Sequence, residues 1–162
     1  MDCYIVEAIR TPRGRGKKDG KLHCVTSLNL VTQLLHHLKH HQAAALAAED
    51  LILGCVMPVG EQGANIARSA ILAADYPQGV PGIQINRFCS SGLDAIALAA
   101  SRIDSGQANL ILAGGVESMS RVPMLSDGGA MMLDPQVAYT QQIVPQGISA
   151  DLIATLAQFS RK

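Results

Sequence analysis

Four short runs of strand length, separated by stretches at helical period, constrain this chain more than any other feature: CYIVEAI (3–9), LILGCV (51–56), GIQINR (82–87) and NLILAGGVE (109–117). The first two are rich in β-branched residues and closed by turn signals. In the third, Ile83 and Ile85 alternate with polar neighbours. The fourth runs apolar through Leu110, Ile111, Leu112 and Ala113, the pattern of a central strand buried on both faces. Between them, SLNLVTQLLHHLKHH sets Leu28, Val31, Leu35 and Leu38 on one stripe, with Thr26 or Ser27 available as a cap. NIARSAILAA follows, with Asn65 as cap and Ile66, Ser69, Ala70 and Ala73 on one face. A third stripe comprises Leu93, Ile96, Ala97, Ala100 and Ile103, and Ser91 and Asp94 stand at capping-box spacing before it. Strands joined through helices of crossover length pair in parallel, so the expected class is an α/β layered fold.

A chain of 162 residues holds one ordinary domain with its own core. Aromatic residues make up only 3% and Trp is absent, so that core is built from Ala, Leu, Ile and Val. From Pro123 the pattern loses its periodicity, which places a boundary between 1–123 and 124–162. Helical spacing resumes in SADLIATLAQF, with Ser149 as cap. Thirteen basic and thirteen acidic side chains cancel, which removes the broad positive field of a nucleic-acid or membrane-surface binder. No apolar run reaches the length of a membrane span, and MDCYIVEAIR lacks the layout of a secretion signal. The expected setting is a reducing, cytoplasmic one.

Cys3, Cys24, Cys55 and Cys89 show no C-x-x-C spacing and no neighbouring His at ligand spacing, so a zinc or thioredoxin-type site is not expected. Cys3 and Cys55 fall inside apolar strand runs, and Cys24 lies in a loop without an activating context. Cys89 differs because it sits just before a helix N-terminus, where free N–H groups and the positive end of the helix dipole favour negative charge on sulfur. Ser90, Ser91 and Gly92 leave room for a substrate, and backbone N–H groups of the turn can face an oxyanion. From these local features alone Cys89 reads equally well as a small residue buried under the helix cap.

Two segments weigh on that balance. NRFCSSGLDAI and LILAGGVESMSRVPM (110–124) resemble the acyl-cysteine segment of the thiolase family and its glycine-glycine-x-glutamate-serine-methionine signature. VEAIRTPRGRGKKDGKL and GCVMPVGEQGANIARSAIL (54–72) extend the likeness through the rest of the chain. The resemblance implies the N-terminal half of the thiolase fold, a mixed and mostly parallel five-stranded sheet with helices on its faces, followed by the start of a loop domain. It implies that Cys89 takes an acyl group from an acyl-coenzyme A as a thioester. That group passes to coenzyme A after cleavage of a 3-ketoacyl-CoA, or condenses with a second acetyl-CoA. Coenzyme A thioesters are then substrates, with no permanently bound cofactor and no metal, and the full-length protein forms a homodimer or homotetramer.

Family members contain a second, similar half that supplies a glycine-histidine-proline motif, a second cysteine and an asparagine motif. His23, His36, His37, His40 and His41 lie in no such context, so the resemblance implies an incomplete enzyme, inactive without a separate C-terminal half. Gln146 stands where many members carry methionine, which leaves acyl-chain preference open. The alternative function is a non-catalytic remnant or assembly module of a split or truncated thiolase; a ketoacyl-synthase-type enzyme fits GGVESMSRVPM less well.

Other motifs read more simply. The histidine pairs at i, i+4 (36/40 and 37/41) lack an acidic third ligand and mark a solvated face. RTPRGRGKKDGK is basic and glycine-rich but lacks the order of a phosphate-binding P-loop, and reads as a solvated loop more readily than as a phosphate contact. Glu117, within the signature, has a structural role at the strand end.

Overall fold

The computed structural model describes residues 2–161. These fall into two compact units, one running to Asp127 and the other starting at Gly128.

In the first unit, strands β1 (Asp50–Gly54), β2 (Gly82–Ile85) and β3 (Ile111–Gly115) form a parallel sheet in the order β2-β1-β3. β1 is buried at every position because it is central and covered on both faces. Leu51, Leu53 and Cys55 point to the layer made by helices α1 (Ser27–His41) and α2 (Ile66–Ala73), where they meet Val31, Leu35, Ala67, Ala70 and Ile71. Ile52 points the other way, with Ile83, Ile85 and Ile111, onto Ala95 and Ala99 of helix α3 (Ser91–Asp104). Asp50 is buried on this α3 side, where it pairs with Arg102 and accepts a 2.8 Å hydrogen bond from Leu51 N–H. The expected caps on the first two helices form: Thr26 Oγ1 accepts from Asn29 N–H at 3.1 Å, and Asn65 Oδ1 from Arg68 N–H at 3.1 Å.

Two glycines explain how closely α3 lies on the sheet. Gly54 and Gly115 are register partners facing the helix. A Cβ on Gly54 would sit 2.3 Å from the Ser91 carbonyl carbon and 2.5 Å from Gly92 N; one on Gly115 would sit 3.2 Å from Gly92 Cα. The first turn of α3 therefore rests directly on the carboxyl ends of β1 and β3.

The α/β architecture of parallel strands and covering helices is present, with five differences from the expected detail, the first being that the 109–117 run forms an edge strand, β3, exposed at Ala113 and Gly115, while β1 is the central one. Three strands, all parallel, occur among the described residues, instead of five in a mixed sheet. The CYIVEAI run is not a strand, and Tyr4, Ile5 and Val6 are each at least 76% exposed, because neither sheet edge pairs with it. On α3 the face against the sheet is Ser91, Ala95 and Ala99, whereas Leu93 is 70% exposed: only small side chains fit where helix and strand backbones approach this closely. The Ser91–Asp94 capping box does not form, since Ser90 is the N-cap, the Ser91 hydroxyl is used in the preceding turn and Asp94 pairs with Arg87 at 2.8 Å.

The second unit carries the short helices α4 (Ala130–Leu133) and α5 (Pro135–Thr140), then α6 (Gln146–Leu156). Ser149 is inside α6 and not its cap. The Pro145 carbonyl accepts from Ile148 and Ser149 N–H groups at 2.9 and 3.1 Å, which starts the helix earlier. No described helix is long and apolar enough to cross a membrane.

Candidate active site around Cys89

Cys89 sits on the turn between β2 and α3, and the backbone there is strained. Phe88, immediately before it, has φ of +47°, a left-handed conformation that costs a bulky residue about 1–2 kcal/mol. The surrounding hydrogen bonds hold it there. Asn86 Oδ1 accepts from Phe88 N–H at 2.8 Å while its amide donates to the Val56 carbonyl at 3.1 Å. The Ser91 hydroxyl accepts from Arg87 N–H at 2.8 Å and donates to the Phe88 carbonyl. This tight strand-to-helix turn leaves Cys89 exposed at the N-terminal end of α3, which excludes the buried-under-the-cap alternative.

A cleft of about 440 Å³ opens beside Cys89. It lies beyond the carboxyl ends of β1 and β3, where the chain, having placed β2 on one side of β1, returns to place β3 on the other; ligands of open parallel sheets bind at such switch points. Gly54, Gly92 and Gly115 supply bare backbone to its floor, and Val56, Met57, Phe88, Met119 and Met124 supply an adaptable apolar wall.

Glu117 reaches this wall but is held in place. Its carboxylate accepts from Val56 N–H at 2.7 Å and from the Gln62 amide at 2.6 Å. Gln62, fully buried, also donates to the Met57 carbonyl at 2.9 Å and accepts from Ser118 N–H at 2.7 Å. Glu117 thus clamps the segment after β3 to the one after β1, the structural role expected of it. The Ser27 hydroxyl, 2.9 Å from both Gln62 Oε1 and Glu61 Oε1, extends the network to Glu61, which Arg121 grips at 2.8–2.9 Å. Gln62, Glu61 and Arg121 were not legible in the sequence. Loop residues show no periodicity, and Arg121 meets Glu61 across a sequence separation of 60, which no local spacing signals.

Arg121 holds the Glu61 carboxyl at about 2, well below its ordinary 4.5, against the upward push of burial and with help from Ser27. A carboxyl lowered on folding stabilises the fold fully above about 4.5 and loses that contribution as pH falls towards 2. With the pair about one quarter exposed, solvent screening keeps the contribution small. Acid unfolding of Arg121→Gln should lack this slope between pH 4.5 and 2; an unchanged profile would show that the pair contributes nothing.

The other cysteines are placed differently. Cys55 is buried, and burial, with the Glu117 charge adding, pushes its thiol up to about 11. Cys24 is exposed, and its Sγ faces the Lys21 carbonyl at 3.8 Å in the loop that leads into α1, two residues before the N-cap Thr26. No histidine lines the cleft: four lie at the end of α1, where the His37 and His41 rings stack at 4.2 Å, and His23 lies in the loop before it. No group of three or more metal-ligating side chains occurs among the described residues.

Residues 3–162 match the family described as "Thiolase, N-terminal domain". The chain is 42% identical over 137 residues to the 3-oxoadipyl-CoA/3-oxo-5,6-dehydrosuberyl-CoA thiolase of Escherichia coli K12, covering 83% of this chain and 34% of that protein. It is 36% identical to a 3-ketoacyl-CoA thiolase of Photorhabdus laumondii, over 99% of this chain and 42% of the relative. Among solved structures, the dimeric peroxisomal thiolase of Saccharomyces cerevisiae superposes with a TM-score of 0.77 at 29% identity, over 90% of this chain and 39% of its own. The chain thus spans about two fifths, or less, of the relatives it matches.

Proposed function

This chain belongs to the thiolase family, and from that premise we propose that Cys89 is the nucleophile of a thiolase-type acyl transfer from coenzyme A thioesters. The observation that carries the reading is the exposed Cys89 on a strained turn at the N-terminus of α3, opening on an apolar cleft. The Cys89 thiolate attacks the thioester carbonyl, backbone N–H groups at the start of α3 face the resulting oxyanion, and the carbon–sulfur bond to coenzyme A breaks. The acyl group remains on Cys89, and the departing coenzyme A thiolate takes a proton from solvent. A methionine-lined wall suits a flexible pantetheine arm.

Completing a cycle by thiolysis or condensation requires a positioned general base, and no side chain of the cleft supplies one: Glu117 is fully engaged and no histidine is near. We assign that role to a second half of the kind found in the family. Leu93 and Ile96, 70% and 42% exposed on the outer face of α3, provide an apolar surface for it. Residues from 124 onward form the start of a loop domain, and the assembled enzyme is a homo-oligomer.

Incubating the purified chain with acetyl-CoA and mapping peptides by mass spectrometry tests the assignment. One acetyl group on the Cys89 peptide and none on Cys24 is the expected result. Absence of the adduct from a Cys89 that iodoacetamide still alkylates would remove the proposal that this half performs acylation itself.

A further inference from the structure

We propose that His37 and His41, at the carboxyl end of α1, chelate a divalent transition-metal ion of the zinc, nickel or copper class through one ring nitrogen each. The site is independent of the acyl-transfer reading: α1 and α2 cover one face of the sheet, and Cys89 precedes α3 on the other.

Four of the five histidines fall within six residues, at 36, 37, 40 and 41. α1 stays helical through His41, so 37 and 41 stand one turn apart on the same face. Spacing alone treats this pair and 36/40 alike, but the structure separates them. The His37 and His41 rings lie with centroids 4.2 Å apart and planes tilted by 34°, and both residues are exposed. No such ring contact joins His36 and His40, and His36 is half-buried. Neither the His37 nor the His41 ring makes a hydrogen bond among the described residues, so the lone pair on each is uncommitted.

The geometry and the surrounding charge suit a cation. Zinc binds imidazole nitrogen at about 2.0–2.1 Å, so two nitrogens on one tetrahedral ion lie about 3.3 Å apart. Exposed rings centred 4.2 Å apart reach that spacing by small turns about their own side-chain bonds. Lys39, the one ammonium in this turn, leaves the opposite side of the helix, and its Nζ donates to the Ala74 and Asp75 carbonyls at 3.0 and 3.2 Å. The helix ends where Gln42 N–H donates to the Leu38 carbonyl, which sets the negative end of the helix dipole beside His41. The Gln42 side chain also donates to the Glu7 carboxylate at 3.2 Å, which brings a full negative charge to the same end.

Imidazole donors select zinc, nickel and copper over magnesium and calcium, which take oxygen ligands. Two protein donors leave the remaining positions to water, in keeping with the lack of any group of three metal-ligating side chains among the described residues. The two rings stand one turn apart only while α1 is helical. An ion held between them therefore binds the folded chain and staples the helix end whose Leu35 and Leu38 pack on the core.

The test uses the chain without a purification tag and with its exposed thiols alkylated, so that neither added histidines nor Cys24 and Cys89 compete for metal. Nickel chloride is titrated calorimetrically into wild type, His41→Gln and His40→Gln, and unfolding midpoints are measured with and without the ion. Wild type should bind a single nickel ion and gain in midpoint. His41→Gln, which leaves one donor in place of a chelate, should bind at least about tenfold more weakly and gain nothing. His40→Gln, which removes the alternative pairs 36/40 and 37/40, should behave as wild type, and magnesium should leave every midpoint unchanged. No binding by wild type, equal binding by His41→Gln, or loss of binding in His40→Gln would overturn the assignment.

Discussion

Gly54→Ala should lower the stability of the first unit by about 3 kcal/mol or more. The added methyl group would sit 2.3–2.5 Å from three backbone atoms of Ser91 and Gly92, and backbone cannot rotate aside as the end of a side chain can. The only relief is for α3 to lift from the sheet. That opens the contact of Ala95 and Ala99 with Ile52, all three of which are buried, and strips the cover from the Asp50–Arg102 pair on the same side. It also moves Cys89, which sits on the turn immediately before that helix. Gly79 has no neighbour within 4 Å of a built Cβ, so Gly79→Ala is the matched control and should change stability by less than about 0.5 kcal/mol. Denaturant unfolding of both variants, followed by circular dichroism, measures the difference. Equal midpoints would mean that α3 is not seated on Gly54 and that the glycines of β1 and β3 serve another purpose.

The same helix shows where sequence reading succeeds and where it stops. Its extent was legible from periodicity, but its orientation was not. α3 is apolar on two sides, one of large residues (Leu93, Ile96) and one of small ones (Ala95, Ala99), and period alone cannot say which meets the sheet. The missing information is the distance between backbones, which Gly54 and Gly115 set from other strands. The three paired strands could be read because each is apolar and flanked by crossover helices; CYIVEAI has the same composition but pairs with neither edge, β2 or β3. Composition is necessary for a strand, and a partner is what completes it.

At the candidate site, Cys89 could be singled out by its place before a helix. Its exposure depends on a left-handed Phe88, which no residue-type rule anticipates, since a bulky aromatic is among the last choices for that conformation. The Gln62 network was hidden for a different reason. A glutamine in a loop normally faces water, and this one is buried because four groups, on Ser27, Met57, Glu117 and Ser118, converge to satisfy it.

Cys89→Ser should reduce acetyl transfer to position 89 by about four to six orders of magnitude, to the limit of detection by mass spectrometry. Sulfur is a far better nucleophile towards a thioester than a neutral hydroxyl, which needs a base to take its proton in the transition state. The cleft holds no such base. Glu117 spends both carboxylate oxygens on Val56 and Gln62, and the histidines lie elsewhere. Serine fits the space and preserves the turn, so its failure would report chemistry and not folding, and an unchanged unfolding midpoint would establish that. Serine acetylation at a rate near that of the thiol would show that a base reaches position 89 within these residues. The division of labour argued above, with acylation in this half and proton transfer in another, would then fall.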